Sequence, residues 1–178
     1  MQQIKSEDQD VKKLLTQSVN RVHSMALIHQ KIYSAENIEE LNFSEYLREL
    51  VDNLIDSCVQ PEQEIEVQYE VEYAPLDIDR IIPCALAVNE LVSNALMHGF
   101  QAEKEGFLRI KYARRQGNYM ILIENDGRPL PPDFDIKENS SLGLNLVNSL
   151  ICDQLAGDIE AHSNNTVVFK ITFPVERV

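Results

Sequence analysis

The sequence predicts an α+β fold, a two-layer sandwich in which a mixed β-sheet carries its helices on one face, preceded by a helical segment. Two observations predict it. The hydrophobic pattern changes from helical spacing to strict alternation near residue 62, and later segments repeat that change. Tight turns join several of the predicted strands, which makes those strands antiparallel neighbours and leaves the helices on one face.

The N-terminal segment carries an apolar seam. Its positions alternate steps of four and three, as in a coiled coil. The seam consists of Val11, Leu15, Ser18, Val22, Met25, His29 and Ile32. A single helix with such a seam needs a partner, so dimerisation or a second hairpin helix is predicted. A polar stretch at 34–42 ends the pattern, and we place a first unit at 1–42.

A second helix is predicted over 44–59, with Ser44 as its N-cap and Pro61 beyond its end. From Glu64 apolar and acidic residues alternate, which is typical of a half-buried strand with a solvated outer face. We therefore expect the second unit to span 43–178 and its sheet to begin at about residue 62.

The remaining elements follow from the same patterns. One helix is predicted from Arg80 to His98, with Gly99 as its C-cap. A later helix is predicted from Ser141 through Leu155, and Gly157 ends it. Four more strands are predicted, at Phe107–Arg115, Tyr119–Glu124, Asp158–His162 and Thr166–Phe173. The first two of these are joined by a turn at Gln116-Gly117-Asn118.

Charge and cysteine content exclude several classes of function. The 178 residues include 16 Lys+Arg and 29 Asp+Glu, a net charge of −13, which argues against nucleic-acid binding and against contact with an anionic membrane. Three separated cysteines without a CxxC pair exclude a disulfide framework and a cysteine zinc site. They indicate a reducing, cytoplasmic compartment. No signal peptide is recognised at the start of the sequence.

Three stretches carry residues suited to binding chemistry. In 89–98, Glu90, Asn94 and His98 are spaced i, i+4, i+8 and form one polar stripe on a helix. The alternative is the exposed face of an amphipathic helix. In 121–129 an apolar strand runs into Asn125-Asp126-Gly127, which is also a common turn.

The third stretch begins a helix with Ser141-Leu142-Gly143-Leu144. Small residues there leave backbone N–H groups open to an anion, which the helix dipole favours. A single glycine is weak evidence for such a site.

In order and separation, these stretches resemble the N, G1 and G2 boxes of the ATP-binding fold shared by sensor histidine kinases, Hsp90-type chaperones, type II topoisomerases and mismatch-repair ATPases. Gly157 followed by Thr166-Val-Val-Phe169 is similar to the last box. The run 20–29 resembles the second dimerisation helix of one subclass of two-component sensor histidine kinases, and 43–50 fits the same subclass.

The resemblance implies roles for individual residues. Glu90 would be the catalytic residue, acting as a base toward the phosphoacceptor or polarising water. Asn94 would hold Mg²⁺ through its side-chain oxygen. The G1 segment would recognise adenine, and the G2 backbone would hold the phosphates of ATP. The nucleotide-binding set is Asn94, His98, Asn125, Asp126, Gly127, Ser141, Leu142, Gly143, Leu144 and Thr166.

The resemblance also implies partners. These are a response-regulator receiver domain and, through the N-terminal helices of the full-length protein, a second copy in a homodimer. The unit 1–42 would be the remnant of a dimerisation and phosphotransfer hairpin, and 43–178 the catalytic domain. The phosphoaccepting histidine is expected upstream of Arg21, where this chain has none. His23 and His29 are the candidates left, but a packed or hydrogen-bonded histidine is the default interpretation of each, so autophosphorylation on histidine is not expected.

Several positions depart from the family pattern. Asn125 stands where the G1 carboxylate is usual, and Met97 stands where a basic residue often precedes the N-box histidine. Pro129 and Ser141 replace glycines. Two alternatives therefore remain open: a nucleotide-sensing pseudokinase or interaction domain, and a serine kinase of the anti-sigma type with the same fold.

Overall fold

The computed structural model describes residues 42–101, 103–136 and 141–176, together with four single positions of the N-terminal segment. These four are Leu15, Val19, Val22 and Ala26, all helical and exposed. Leu15 and Val22 belong to the predicted seam, whose other members lie outside the described residues. The exposed positions follow one another at steps of four, three and four, so they share one helix face.

Between residues 42 and 176 the described chain contains three α-helices and five strands. In chain order they are α1 (Phe43–Cys58), β1 (Glu64–Val71), α2 (Ile78–Asn94), β2 (Glu105–Arg115), β3 (Asn118–Asn125), α3 (Leu142–Ser149), β4 (Asp158–Ser163) and β5 (Val167–Pro174). α2 continues into a π-helical turn over Ala95–Gly99, and α3 into another over Leu150–Gln154. The predicted strands all form, with ends that differ by up to two residues.

The five strands form one mixed sheet in the order β1-β2-β3-β5-β4. β1 and β2 are parallel, because α2 crosses between them, and every other neighbouring pair is antiparallel. Asn125 at the end of β3 is the register partner of Val167 at the start of β5. The predicted α+β class is confirmed.

The hydrophobic core lies between the sheet and the helices. Alternate residues of the strands point into this core and are fully buried, for example Ile110, Ile121 and Ile171. α1 contributes Phe43, whose ring meets that of Tyr112 edge to face at a centroid distance of 5.0 Å. Helix α1 therefore shares the core of the sheet domain.

The N-cap of α1 corrects one prediction. Asn42, not Ser44, caps the helix, since its side chain accepts a hydrogen bond from the Ser44 backbone N–H at 3.1 Å. The Ser44 hydroxyl instead donates to the carbonyl oxygen of Glu72 at 2.6 Å. The Ser44 hydroxyl is thus used in a contact with the chain just after β1 and not in capping the helix. This tertiary contact cannot be deduced from the sequence pattern of the helix.

Helix α2 is the central helix of the domain. Its helical span Ile78–Gly99 is long and apolar enough to cross a membrane by length and composition, yet 78% of its most apolar window is buried inside the fold. That burial is expected of a core helix. Arg80 in its first turn is also buried, and its guanidinium donates to the Pro174 carbonyl oxygen at 2.5 Å.

The turn between β2 and β3 is tighter than the predicted three residues. Arg115 pairs with Asn118, which leaves only Gln116 and Gly117 in the turn. Both have positive φ, 50° and 79°, as a type I′ hairpin turn requires.

The outer face of the sheet carries cross-strand ion pairs. Arg109 contacts Glu124 at 2.7 Å, and Lys170 contacts Glu160 at 3.3 Å. Lys111 contacts Glu70 at 2.8 Å, and Arg115 pairs with Glu72. Part of the acidic face predicted as merely solvated is therefore paired with cations of β2.

Candidate functional site

A cavity of about 680 Å³ opens between the end of α2, the end of β3 and the start of α3. Five of the residues predicted from the sequence line it: Asn94, His98, Asn125, Ser141 and Leu144. Three segments that are distant in the chain thus contribute polar groups to one space. Its size suits a small organic ligand.

Asn94 and His98 of the polar stripe line the cavity, whereas Glu90, one turn earlier on α2, is not among its lining residues. Glu90 is 3% exposed and Asn94 is half-buried, whereas His98 is exposed at the rim. The Glu90 carboxylate accepts a hydrogen bond from the neighbouring Asn89 side chain at 3.4 Å. Because Glu90 is buried, it does not lie on an exposed amphipathic face. A charged group is rarely buried in a helix without a partner or a function.

The β3 wall ends in Asn125, which is 2% exposed. Its Oδ1 accepts a hydrogen bond from the Gly127 backbone N–H at 3.1 Å. This Asx turn reverses the chain directly after the strand. The turn holds the amide in place, so Asn125 is a fixed polar group in the cavity wall.

Two glycines allow the α2 and β3 walls to meet. A Cβ on Gly127 would lie 2.7 Å from the carbonyl carbon and oxygen of Gly99, and a Cβ on Gly99 would lie 3.2 Å from Asn125 Oδ1. The Arg128 backbone N–H donates to the Gly99 carbonyl oxygen at 2.9 Å. The N-box and G1 segments of the resemblance are thus in direct contact.

The third wall is the start of α3. Ser141 is its N-cap, and the Ser141 hydroxyl accepts from the Leu144 backbone N–H at 3.4 Å. Ser141 and Leu144 line the cavity, whereas Leu142 is 74% exposed and Gly143 is half-buried beside them. The positive end of a helix dipole therefore lies at the cavity, where it would favour an anion.

Two predicted residues are directed elsewhere. Asp126 is exposed, and its Oδ1 accepts from the Phe107 backbone N–H at 2.7 Å. The Thr166 hydroxyl donates to Glu124 at 3.0 Å, and the Glu124 carboxylate also pairs with Arg109 on the outer sheet face. Alternation along the strands explains both placements, because Asn125 and Val167 occupy the inward positions next to them.

Several wall residues were not in the predicted nucleotide-binding set. Gly99, Gln101 and Arg128 line the cavity, as do Pro129, Leu130 and the proline pair 131–132. Val167 and Phe169 supply an apolar wall from β5. Inward alternation in the last strand could have identified Phe169, but no local pattern marks Arg128.

The residues present fit a magnesium ion only together with a phosphate ligand. Among the described residues no group of three or more His, Cys, Asp or Glu could hold a metal by itself. Mg²⁺ usually takes one or two protein oxygens and completes its shell with phosphates and water. The single amide of Asn94 on the cavity wall is compatible with that arrangement.

Comparison with known families agrees with this architecture. Residues 79–177 match the family described as "Histidine kinase-, DNA gyrase B-, and HSP90-like ATPase", and residues 1–58 match a histidine kinase family. The chain belongs to the histidine kinase-, DNA gyrase B- and HSP90-like ATPase family, whose fold implies ATP binding. Together the two matches support a two-component sensor histidine kinase with this catalytic fold, and they do not favour a serine kinase of the anti-sigma type.

Relatives of known name are sensor kinases. The chain is 28% identical over 163 residues to the sensor histidine kinase PdtaS of Mycolicibacterium smegmatis, which covers 91% of this chain and 32% of the relative. It is 29% identical over 146 residues to PdtaS of Mycobacterium tuberculosis, covering 82% of this chain and 29% of the relative. The chain thus spans about a third of the length of these relatives.

Solved structures share the fold. The histidine kinase domain of the blue-light activated histidine kinase of Erythrobacter litoralis superposes with a TM-score of 0.80 at 20% identity, covering 89% of this chain and 75% of that one. The nucleotide-free catalytic domain of the histidine kinase ThkA gives a TM-score of 0.58 at 24% identity, covering 75% and 94%. At these identities the likeness concerns the fold alone.

Proposed function

We propose that the domain binds Mg-ATP in the cavity and transfers the γ-phosphoryl group to a histidine, for relay to a receiver domain. One observation carries the proposal: Asn94, Asn125 and the start of α3 reach one cavity from three separate segments. We further propose that the catalytic unit begins with α1, since Phe43 packs in the core of the sheet domain.

The proposed binding mode follows the polarity of the walls. The phosphates would lie at the start of α3, where backbone N–H groups and the helix dipole favour anions. Asn94 would hold the magnesium ion that offsets phosphate charge in a chain of net charge −13. Asp126 and Thr166 are left out of the nucleotide contacts, because their side chains bond to Phe107 and Glu124.

The proposed catalytic residue is Glu90, one helical turn before Asn94. In the transfer a nitrogen of the acceptor imidazole forms the bond to the γ-phosphorus while the bond to the β–γ bridging oxygen breaks, and ADP leaves. The Glu90 carboxylate would accept the proton from the other imidazole nitrogen. A positioned base of this kind is worth about 10²–10⁴ in rate.

The proposal includes a homodimer and a cytoplasmic location. Leu15, Val19 and Val22 expose 60%, 63% and 67% of their surface on one helix face, which a second copy would cover. Cys58, Cys84 and Cys152 form no disulfide with one another, as expected in a reducing compartment.

Titration calorimetry with ATP and ADP, with and without Mg²⁺, tests the proposal. We expect both nucleotides to bind and Mg²⁺ to strengthen ATP binding more than ADP binding. Absence of heat at millimolar nucleotide would contradict it. ATP binding without transfer to a separately supplied histidine domain would instead favour the nucleotide-sensing pseudokinase, an alternative supported by the uncharged Asn125.

A further inference from the structure

A proline-rich segment forms one wall of the cavity shortly after the turn at Gly127. Residues 129–132 are Pro-Leu-Pro-Pro, and all four line the cavity. Proline fixes its own φ and restricts the residue before it to extended conformations, so this stretch of backbone is stiff. Proline also lacks a backbone N–H, so Leu130 carries the one backbone donor of these four residues. A single hydrogen bond therefore uses every backbone donor that this wall has.

Ser163 supplies the acceptor for that donor. The Leu130 backbone N–H donates to the Ser163 hydroxyl oxygen at 3.0 Å, across 33 residues of chain. Ser163 is the last residue of β4 and the register partner of Val167, which is in turn the register partner of Asn125. These three residues lie side by side across β4, β5 and β3. The proline-rich wall is thus tied to the sheet at the level of the Asn125 amide.

Further contacts hold the end of the same segment. The Phe134 ring meets the Phe169 ring edge to face, at a centroid distance of 6.4 Å and an interplanar angle of 82°. The Phe134 backbone N–H donates to the Pro131 carbonyl oxygen at 3.0 Å. The Ile136 side chain is buried in the core. Residues 129–136 are therefore held on the domain by hydrogen bonds, a ring contact and a buried side chain.

The wall that Ser163 holds is apolar. The prolines and Leu130 line the cavity together with Val167 and Phe169 of β5. In the proposed function the phosphates lie at the start of α3 and the magnesium ion lies at Asn94. The base and the sugar are the parts of a nucleotide that remain for the apolar wall. A wall that is already fixed loses little conformational entropy when a ligand binds.

We infer that Ser163 is a positioning residue of the nucleotide site, which holds the wall 129–132 against the base and the sugar. The inference rests on the proposed nucleotide binding. Loss of the hydroxyl leaves the Leu130 N–H without its acceptor, and the wall then shifts to satisfy that donor with water. The shift removes contacts with the bound nucleoside, so nucleotide dissociates faster from the altered site.

Equilibrium and stopped-flow binding of Mg-ATP to the full chain test the inference, at a temperature where circular dichroism shows each variant to be folded. Ser163→Ala should weaken ATP binding by about fivefold or more, mainly through faster dissociation, because one hydrogen bond of the wall is lost. Ser163→Thr keeps the hydroxyl and should bind ATP like the unmodified chain. Ser57→Ala is the matched control, since it removes an exposed hydroxyl that donates to the Leu54 carbonyl oxygen on α1, and it should also bind normally.

A double-mutant cycle tests whether the effect passes through this hydrogen bond. Leu130→Pro removes the donor itself, so adding Ser163→Ala to it should weaken ATP binding no further. An equal loss in both backgrounds overturns the inference. A lower melting temperature of Ser163→Ala with unchanged ATP affinity also overturns it, since the hydroxyl would then act on stability alone. Both outcomes leave the proposed function intact, whereas failure of the unmodified chain to bind ATP contradicts the proposed function and the inference with it.

Discussion

Gly127 lies directly against the backbone of Gly99, so closely that a Cβ at Gly127 would be 2.7 Å from the Gly99 carbonyl oxygen. This contact joins the end of the central helix to the turn after β3. It fixes the distance between the stripe that carries Asn94 and the amide of Asn125.

Gly127→Ala should therefore push the two walls apart. We expect at least a tenfold loss of nucleotide affinity, measured by calorimetry, together with a lower melting temperature. Gly117→Ala is the matched control, because its Cβ would meet nothing within 4 Å while its φ of +79° is strained for alanine. It should cost about 1 kcal/mol of stability without changing affinity. Equal affinity losses in both variants would refute the role of the contact.

Asn94→Ala should abolish the strengthening of ATP binding by Mg²⁺, because it removes the one protein oxygen proposed for the ion. Binding without Mg²⁺ should change little. ATP titrations at zero and saturating Mg²⁺ measure both quantities, with the exposed Asn164→Ala as control. An undiminished Mg²⁺ effect in Asn94→Ala would assign the ion to other groups.

Glu90→Gln should leave ATP affinity nearly intact and lower phosphotransfer by about 10²–10⁴-fold, since the shape is kept and the base is lost. The assay supplies a histidine acceptor domain and labelled ATP. Glu66→Gln on the exposed face of β1 should transfer at the normal rate. Normal transfer by Glu90→Gln would remove this residue from the mechanism.

The chain alone should hydrolyse ATP slowly at most and should not acquire phosphohistidine. His98 lies at the rim of the cavity and His162 is exposed on β4, and neither fits an acceptor. Incubation with γ-labelled ATP followed by acid and base treatment measures the product. Acid-labile label that disappears in His23→Gln or His29→Gln would identify an acceptor within the chain.

Thiol titration should separate the three cysteines. Cys84 is fully buried, and burial raises the pKa of its thiol far above the ordinary value, so little thiolate forms at pH 8. Cys58 and Cys152 are partly exposed. We expect two thiols to react rapidly with a disulfide reagent and the third to react only on unfolding. Cys84→Ala should remove only the slow phase, and fast reaction of Cys84 would contradict its burial.

The fold was predictable where one physical signal dominates. Alternation located every strand, and helical spacing located α2 and α3, because burial on one face imposes those periods. The N-cap of α1 was not predictable, since Ser44 bonds to Glu72 across 28 residues of chain. The prediction for β2 began at Phe107, whereas pairing with β1 extends the strand back to Glu105.

The candidate site was predictable only in part, because tertiary contacts are not encoded in local sequence patterns. Polar residues at the ends of regular elements marked Asn94, Asn125 and Ser141, all of which reach the cavity. Side chains alternate between the two faces of a strand, so Asn125 faces the cavity and Asp126 does not. The sequence motif carries no information about this alternation. The position of Arg128 in the cavity wall depends on the packing of Gly127 against Gly99. This is a tertiary contact, and no periodic pattern in the sequence encodes it.

The ion pairs on the outer face of the sheet have a kinetic consequence. Arg109, Lys111, Arg115 and Lys170 each lie beside a glutamate, so four of the 16 Lys and Arg residues are paired there. An incoming nucleoside triphosphate is negatively charged, and the net negative charge of the chain repels it. Dissolved salt screens that repulsion over about 10 Å at 0.1 M. We therefore expect the association rate constant for nucleotide to rise with ionic strength, the reverse of the behaviour of a site approached through a basic surface.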